Sequence, residues 1–298
     1  MKTILITGCS SGFGHATALW FLERGWKVIA TMRTPRAELF PESAHLRLLP
    51  LDVTDAESIR QTLAEAGEID VLVNNAGIGL LTSLEGAPMS SVREVFETNT
   101  LGTIAMTQAV IPQFRAKNSG MVINVTSTVT LKSLPLLAVY TGSKAAVNAF
   151  TESLALELQP FNVQVRLVLP GLAPTTDFGK NARPRMENTL LEPYQPMFDG
   201  IIAGMQQPQP TTKAQDVAAA VWRAATDPAA PMRIPAGEDA EASMKQYVPP
   251  DRRAPASFAA GQTTVQAAPQ ARTSASLRTY PVPAAAARRW RPAPPSAA

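Results

Sequence analysis

Short apolar runs alternate with amphipathic stretches along the first 245 residues of this chain. Seven runs have the length and β-prone composition of strands, and five stretches between them have helical periodicity. Val71, Leu72 and Val73 are apolar in succession, as expected when helices cover both faces of a sheet. The predicted strands are Thr3–Thr7, Lys27–Met32, Leu46–Leu51, Val71–Asn74, Met121–Thr126, Val163–Leu169 and Met232–Pro235. The predicted helices are Gly12–Arg24, Ala56–Ala66, Ser90–Lys117, Val139–Leu158 and Lys213–Thr226.

This alternation predicts an α/β fold with a doubly wound parallel sheet of about seven strands and helices on both faces. One domain is expected over residues 1–245. Pro112 lies inside the longest predicted helix, which it is expected to kink or end. Thr212 and Gln215 have the spacing of a capping box at the start of the last predicted helix.

The composition changes at residue 249. Residues 249–298 contain 15 Ala, 9 Pro, seven Arg and a single acid, Asp251, so the rest of the chain carries a net charge of −3 although the whole carries +3. Few large apolar residues occur there, and the segment is predicted to be a disordered Pro/Ala/Arg-rich tail. Whether it is functional or an extended reading frame stays open. Seven scattered arginines are a weak nucleic-acid signal, and we expect no nucleic-acid partner.

Composition also limits the location and the metal chemistry. No apolar run reaches the 18 or so residues of a membrane span, and the run Thr3–Ile6 is too short for a signal-peptide core. The one cysteine, Cys9, cannot form an internal disulfide, which suits a reducing cytoplasm. Two histidines and one cysteine, widely separated, do not suggest a metal site. We therefore expect a cytoplasmic protein without membrane or metal partners.

A glycine-rich turn follows the first predicted strand. Gly8, Gly12 and Gly14 punctuate the turn, and a helical stretch begins at once. Glycines let the backbone approach a phosphate, and the helix N-terminus supplies N–H donors and partial positive charge. This arrangement predicts a phosphate-binding βα turn, although an ordinary glycine-rich turn is the alternative.

The second candidate site is a tyrosine and a lysine four residues apart. Tyr140 and Lys144 would share one face of a helix, and Ser127 precedes the tyrosine by thirteen residues. A phenol is a poor acid-base catalyst at neutral pH, and a neighbouring cation favours its ionised form. The pair therefore predicts a tyrosine whose pKa is lowered into a working range, with a surface Tyr and Lys as the alternative.

Six motifs in one order resemble those of the short-chain dehydrogenase/reductase family, in its single-domain branch. The resemblance covers residues 1 to about 245. The motifs are TGxxxGxG from Thr7, the NNAG sequence Asn74–Gly77, NxxG from Asn99, Asn124–Ser127 closing a strand, YxxxK from Tyr140, and Pro170-Gly171 before a threonine.

The resemblance implies hydride transfer between a nicotinamide and a carbonyl or secondary alcohol. Tyr140 would be the general acid and base, Lys144 would lower its pKa and bind the nicotinamide ribose, and Ser127 would hydrogen-bond the carbonyl oxygen. Asn99 would hold a water that links Lys144 to solvent. Ser127 as a strand-end cap, Asn99 as a turn former and Lys144 as a solvated residue remain the alternatives.

The resemblance also implies a preference for NADP(H) over NAD(H). NAD enzymes carry an acid at the end of the second strand, whereas this chain has Met32 and Arg33 and no acid between Glu23 and Glu38. A solvated Arg33 is the alternative, and an Asx-type turn is the alternative for Asp52. The predicted cofactor-binding residues are Gly8, Ser10, Ser11, Gly12, Phe13, Gly14, Arg33, Asp52, Val53, Asn75, Ala76, Gly77, Tyr140, Lys144, Pro170 and Gly171.

Residues 172–212 are predicted to form a substrate lid. Their apolar side chains suggest an apolar ketone, aldehyde or alcohol substrate, although packing of the lid against the body is equally compatible. Val129, Leu131 and Leu134 are candidates for the opposite wall. Relatives lead us to expect a homo-oligomer, dimer or tetramer, built on the two long helices. A catalytically silent NADP-binding regulator is the alternative to an enzyme.

Overall fold

The computed structural model describes residues 1–186 and 189–247, and within them seven strands form one parallel sheet. The strand order is β3-β2-β1-β4-β5-β6-β7, so the chain winds outward from β1 in both directions. The predicted doubly wound α/β fold is confirmed. The strands are β1 (Thr3–Ile6), β2 (Lys27–Met32), β3 (Leu46–Pro50), β4 (Val71–Asn74), β5 (Gly120–Val125), β6 (Val163–Pro170) and β7 (Arg233–Ala236).

Helices cover both faces of the sheet because successive strand residues point to opposite sides. Ile4 and Ile6 face one side and join a core with the helices that begin at Gly12 and Ala214. Leu5 faces the other and joins a core with the helices that begin at Ala56, Gly102 and Ala138. All three side chains are fully buried, which explains the uninterrupted apolar run. The helices are α1 (Gly12–Glu23), α2 (Ala56–Ala66), α3 (Met89–Phe96), α4 (Gly102–Lys117), α5 (Ala138–Leu158), α6 (Phe178–Met186), α7 (Gln195–Gln206), α8 (Ala214–Thr226) and α9 (Glu238–Lys245).

The long helix predicted over Ser90–Lys117 is one continuous helical path with a defect in its middle. Residues Glu97–Leu101 form a π-helical turn between α3 and α4. Pro112 lies inside α4, which continues to Lys117, so it does not end the helix. A π-helical turn inside a longer helix is common at functional sites, and this one carries Asn99.

The predicted capping box of Thr212 with Gln215 is wrong. Helix α8 begins at Ala214, and the carboxylate of Asp216 accepts a hydrogen bond from the Lys213 N–H at 2.8 Å. Thr212 instead bonds to groups at the ends of β6 and β7. Sequence spacing alone could not show that these long-range partners compete for its hydroxyl.

The segment 172–212 holds two helices, α6 and α7, and a short 3-10 turn at Glu192–Tyr194. Beyond it come α8, β7 and the short α9. The predicted disordered tail, residues 249–298, lies outside the described residues. Among the helices in the described part of the chain, none combines the length and the apolarity needed to cross a bilayer.

Candidate active site

The carboxyl ends of the central strands open into one cavity of about 950 Å³. In a doubly wound sheet this edge, beside the point where the strand order reverses, is where ligands bind. The cavity runs from the residues that follow β2, past the glycine turn after β1, to Tyr140 on α5, and α6 borders it. Its lining includes Gly8, Ser10, Ser11, Gly12, Phe13, Arg33, Asp52, Val53, Asn75, Ala76, Gly77, Tyr140 and Lys144, all predicted from the sequence.

The glycine turn is shaped by close backbone contacts. Gly8 has φ +74°, and a Cβ atom there would lie 2.8 Å from the Cα of Ala76. Gly14 is buried, and a Cβ atom there would overlap the carbonyl of Gly8 and the amide of Asn75. Gly14 therefore acts by packing and does not line the cavity. These contacts allow α1 to begin at Gly12, with its N-terminal N–H groups at the cavity.

Thr7 and Asn75 tie the glycine turn to the end of β4. The Thr7 hydroxyl accepts hydrogen bonds from the N–H groups of Asn75 at 3.0 Å and Ala76 at 2.9 Å. In return the Asn75 side-chain amide donates to the carbonyls of Thr7 at 2.9 Å and Gly8 at 3.2 Å. The first two motifs of the sequence thus form one hydrogen-bonded unit that holds the phosphate-binding turn in shape.

The end of the cavity beyond the glycine turn, away from Tyr140, contains two arginines. Arg33 follows β2 directly, and Arg36 lines the same cavity and donates from Nη2 to the carbonyl of Ser10 at 2.9 Å. The sequence reasoning missed Arg36, because a loop residue after Pro35 shows no periodicity that fixes its direction. Two forked cations beside a glycine turn are suited to bind a phosphate.

Asp52 forms the Asx-type turn that was the alternative for it, and it also lines the cavity. Its carboxylate accepts from the Thr54 N–H at 2.9 Å and from the Thr54 hydroxyl at 2.7 Å. Burial raises the pKa of Asp52, but the two bonds from Thr54 and the charge of Arg33 outweigh it, so the net pKa is lowered. Asp52 therefore stays ionised at neutral pH.

Tyr140, Lys144 and Ser127 come together as the spacing predicted. Tyr140 and Lys144 lie one turn apart on α5, and Ser127, just past β5, hydrogen-bonds the phenol of Tyr140. The Lys144 ammonium donates to the carbonyl of Val125 at 3.0 Å. All three side chains are more than nine-tenths buried, so they are positioned groups rather than solvated surface residues. Ser127 also accepts from the Val129 N–H at 3.3 Å, as a strand-end cap does.

The electrostatics of the pair differ from the prediction. Burial raises the pKa of the Tyr140 phenol well above its usual value, and the hydrogen bond with Ser127 only partly offsets this. Burial also lowers the pKa of the Lys144 ammonium, to about 8. Desolvation therefore dominates the pKa of both groups in this structure, and the working pKa of the tyrosine beside Lys144 stays a prediction.

Asn99 lies beneath this pair and is fully buried. Its side-chain oxygen accepts from the Ile78 N–H at 2.8 Å, and its amide donates to the Ile78 carbonyl at 2.9 Å and the Ser143 hydroxyl at 3.1 Å. The Thr103 hydroxyl donates to its carbonyl at 2.9 Å. The Asn99 side chain thus ties the loop after β4 to α5. The predicted role of Asn99, to hold a water that links Lys144 to solvent, stays a prediction.

Helix α6 covers the cavity on the lid side. The ring of Phe178 lies 5.6 Å from that of Tyr140, centroid to centroid, and a Cβ atom on Gly79 would come within 2.8 Å of Phe178. Arg185 forms an ion pair with Glu94 of α3 at 3.0 Å. Both residues of this pair line the cavity, so α6 is tied across it to α3.

Several other candidates lie elsewhere. Leu131 packs against Leu167 and Leu169 in the core and does not face the cavity. Pro170 ends β6 and Gly171 follows it at the same sheet edge, but neither residue lines the cavity. Ser127 and Asn99 are also absent from the cavity lining. His15 points to the carbonyl of Leu39 at 2.8 Å. Cys9 is buried, and burial raises the pKa of its thiol to about 12, which leaves it unreactive.

A protein-family model described as short chain dehydrogenase matches residues 2–187 of the chain. The chain belongs to this family. A 3-ketodihydrosphingosine reductase of Bacteroides thetaiotaomicron is 41% identical over 174 residues, which cover 57% of this chain and 63% of that protein. Retinol dehydrogenase 8 of Bos taurus is 37% identical over 193 residues, which cover 60% and 61%. The alignments thus span about three-fifths of each of these relatives.

Solved structures of short-chain dehydrogenases share the fold over a larger part of the chain. A short-chain dehydrogenase from Streptomyces avermitilis matches with a TM-score of 0.72 and 33% identity over 82% of this chain and 91% of that one. A closed serine dehydrogenase complexed with NADP+ matches with a TM-score of 0.69 and 30% identity over 80% and 95%. A Brucella melitensis 3-ketoacyl-(acyl-carrier-protein) reductase complexed with NADH matches at 0.63 and 26% over 76% and 91%.

Proposed function

We propose that the protein is an NADP(H)-dependent oxidoreductase that transfers a hydride between the nicotinamide and a carbonyl or secondary alcohol, most favourably on an apolar substrate. The observation that carries this proposal is the continuity of one cavity. It joins two arginines at the end of β2 to Tyr140 and Lys144 on α5, with the glycine turn between them. A dinucleotide has this order of groups: phosphate-bearing adenosine, pyrophosphate and nicotinamide.

The cavity fits such a cofactor in size and polarity. Its volume of about 950 Å³ is at the upper end of ordinary ligand sites. Thr126 lines it, and its buried hydroxyl has no hydrogen-bond partner among the described residues, which leaves that hydroxyl available to a polar ligand group. Arg33 and Arg36 would hold the adenosine phosphate, the N-terminus of α1 the pyrophosphate, and Lys144 the nicotinamide ribose.

The bound cofactor supplies the hydride, and the chain supplies the proton. In reduction Tyr140 gives its phenolic proton to the substrate oxygen as charge develops there, and Ser127 donates a hydrogen bond to the same oxygen. The raised pKa keeps the phenol protonated at neutral and mildly alkaline pH, which is the form that a general acid needs. An alkoxide is a stronger base than a phenolate, so the proton moves downhill.

The preference for NADP(H) is supported by charge at the end of β2. Arg33 and Arg36 line the cavity there, Met32 is uncharged, and the nearest acid, Asp52, is engaged by Thr54. The ionised Asp52 is held beside Arg33, and the end of β2 itself carries no carboxylate that would repel a 2′-phosphate. Because related structures contain either NADP+ or NADH, the charge distribution of this chain is the stronger argument.

The apolar substrate is supported by the surroundings of Tyr140. The ring of Phe178 packs at a tilted angle against that of Tyr140, and both residues line the cavity. The 3-ketodihydrosphingosine reductase and the retinol dehydrogenase are both named for lipophilic substrates. We infer a lipophilic ketone or aldehyde without naming one. We also infer a homo-oligomer through α4 and α5.

A spectrophotometric panel tests the proposed function. Purified full-length protein is mixed with NADPH, or with NADH as the matched control, and with apolar and polar ketones and aldehydes. We expect NADPH oxidation with an apolar carbonyl at a higher kcat/KM than NADH oxidation. Tight NADPH binding without turnover of any carbonyl would refute the enzyme and favour the silent NADP-binding regulator.

A further inference from the structure

The two ends of the lid segment 172–212 meet at one point. The Thr212 N–H donates to the Leu172 carbonyl at 2.7 Å, and the Gly171 N–H donates to the Thr212 hydroxyl at 2.8 Å. The first and last residues of the lid segment are therefore hydrogen-bonded to each other. The junction lies directly after Pro170, the last residue of β6, at the sheet edge that bears the active site.

Asp239, in the first turn of α9, closes this junction from a distant part of the sequence. Its Oδ2 accepts from the Leu172 N–H at 2.6 Å, and its Oδ1 lies 2.8 Å from the Thr212 hydroxyl. The hydroxyl proton of Thr212 has a second acceptor, the Ala236 carbonyl, also at 2.8 Å. We call Gly171, Leu172, Thr212 and Asp239 the lid clasp.

The lid clasp has almost no free space. A Cβ atom on Gly171 would overlap the carboxylate of Asp239, and Thr212 is 1% exposed. Gly237, with φ +101°, faces Thr212 so closely that a Cβ atom would lie 2.5 Å from its hydroxyl oxygen. A carboxylate packed this tightly, with bonds to both ends of the lid, fixes the backbone position of the turn after β6.

Helix α9 also connects the lid clasp to the segment that follows Ser127. Ala240, next to Asp239, is fully buried, and Met244 and Tyr247 pack against the cluster of Leu131, Leu167 and Leu169. Leu131 closes the short turn that begins just after Ser127, through a bond from its N–H to the Thr128 carbonyl at 2.9 Å. One short helix therefore contacts both the turn after β6 and the segment after Ser127.

We propose that Asp239 is a positioning residue for the reaction. It acts through the Gly171–Leu172 turn, which directly follows β6 at the sheet edge that bears the active site, and it fixes the point where the lid segment joins the sheet. This inference rests on the proposed function. Thr212 and Asp239 both lie beyond residues 2–187, the part that the family model matches, so the family motifs do not include them.

Hydrogen–deuterium exchange of the full-length protein tests the clasp without any need for turnover. The variants are Asp239→Asn, which keeps size and one acceptor, and Thr212→Val, which removes only the hydroxyl. Glu241→Gln is the matched control, because it neutralises an exposed carboxylate in the same turn of α9. Weakening the charge-assisted Leu172–Asp239 bond corresponds to roughly 10- to 100-fold faster exchange at residues 171–172 in Asp239→Asn, and loss of the neutral bond from the Gly171 N–H to roughly tenfold faster exchange there in Thr212→Val. The control should exchange like wild type.

The positioning role is tested on the same proteins with cofactor and substrate. We expect NADPH affinity and kcat to fall roughly tenfold in Asp239→Asn while the KM for the carbonyl changes little. We also expect less stereospecific transfer of deuterium from labelled NADPH, which a loss of global stability would not produce.

Each contrary result has one meaning. Unchanged exchange in Asp239→Asn and Thr212→Val would overturn the clasp. Faster exchange with unchanged NADPH affinity, kcat and stereospecificity would overturn the positioning role. If the wild type turned over no carbonyl, the proposed function would fail, and exchange and NADPH affinity would still decide for or against Asp239.

Discussion

At the scale of single residues, burial decides the chemistry of the candidate active site. The phenol of Tyr140 and the ammonium of Lys144 are both pushed toward their neutral forms, one by a raised pKa and the other by a lowered one. The four-residue spacing predicted their proximity correctly. It could not predict the direction of the tyrosine shift, because desolvation depends on Phe178 and the rest of the lid, which are distant in sequence.

Lys144 is predicted to set the alkaline limit of reduction. With a pKa of about 8 it is charged below that pH and neutral above it, whereas the phenol keeps its proton. The kcat/KM for reduction should therefore fall as pH rises through about 8. Lys144→Arg, which stays charged, should move this fall to higher pH. Lys117→Arg, a control beside Asp70 at the other end of β1, should not. The same alkaline limb in all three proteins would contradict the assignment.

The cofactor preference is predicted to depend on the residues after β2. Met32→Asp places a carboxylate where a 2′-phosphate would lie, and Arg33→Ala removes a cation from the same place. Each should lower the NADPH-to-NADH ratio of kcat/KM roughly tenfold or more. Arg47→Ala, an exposed arginine on β3, is the control. If the NADPH-to-NADH ratio of kcat/KM were unchanged in both variants, the inferred preference for NADP(H) would be contradicted.

Arg36 and Asp239 show what residue-level reasoning could not reach. Arg36 lies in a loop without periodicity, and its direction is fixed by a bond to Ser10 from across the turn. Asp239 is 67 residues from its partner Leu172. Neither contact leaves a local pattern, whereas the glycine turn and the Tyr-Lys pair do.

At the scale of elements, periodicity placed the seven strands and five helices close to their observed ends. It missed α6, α7 and α9 for physical reasons. Helix α6 contains Pro184, α7 buries none of its side chains, and α9 is only eight residues long. The π-helical turn at Glu97–Leu101 was also missed, because one extra residue in a turn scarcely changes the apolar pattern.

The ion pair between α6 and α3 is predicted to slow cofactor release. Arg185 and Glu94 are partly exposed, so their pair contributes at most about 1 kcal/mol. Arg185→Gln should therefore release NADPH roughly two- to fivefold faster in stopped-flow displacement, as should Glu94→Gln. The double variant should be no faster than either single one if the two residues act together. Additive effects would show that they do not. Arg60→Gln, which breaks an exposed pair on α2, is the control.

At the scale of the whole molecule, the sheet order and the motifs agree. The parallel order β3-β2-β1-β4-β5-β6-β7 brings segments that are far apart in sequence to one edge. The order could be predicted once the family resemblance was recognised. The contact of α9 with both ends of the segment 172–212 could not be predicted, since the part of the chain beyond residue 187 lies outside the matched family model.

The assembly prediction belongs to this scale. Leu101 and Leu156, which lie just before α4 and in α5, are 48% and 73% exposed, and they belong to the two long helices that the family resemblance assigns to the subunit interface. Leu156→Glu should shift the protein to a smaller species in sedimentation velocity. Leu84→Glu, an exposed leucine on a loop, should leave the species unchanged. A wild-type protein that sediments as a monomer at all concentrations would contradict the oligomer.

Tyr140→Phe tests the central claim most directly. The wild type, Tyr140→Phe and the control Tyr280→Phe are compared in NADPH binding and in carbonyl reduction with a substrate found in the panel. We expect Tyr140→Phe to bind NADPH nearly as tightly as wild type but to reduce the carbonyl roughly 100- to 10,000-fold more slowly, because the proton donor is lost. Reduction by Tyr140→Phe at a rate near that of the wild type would contradict this expectation.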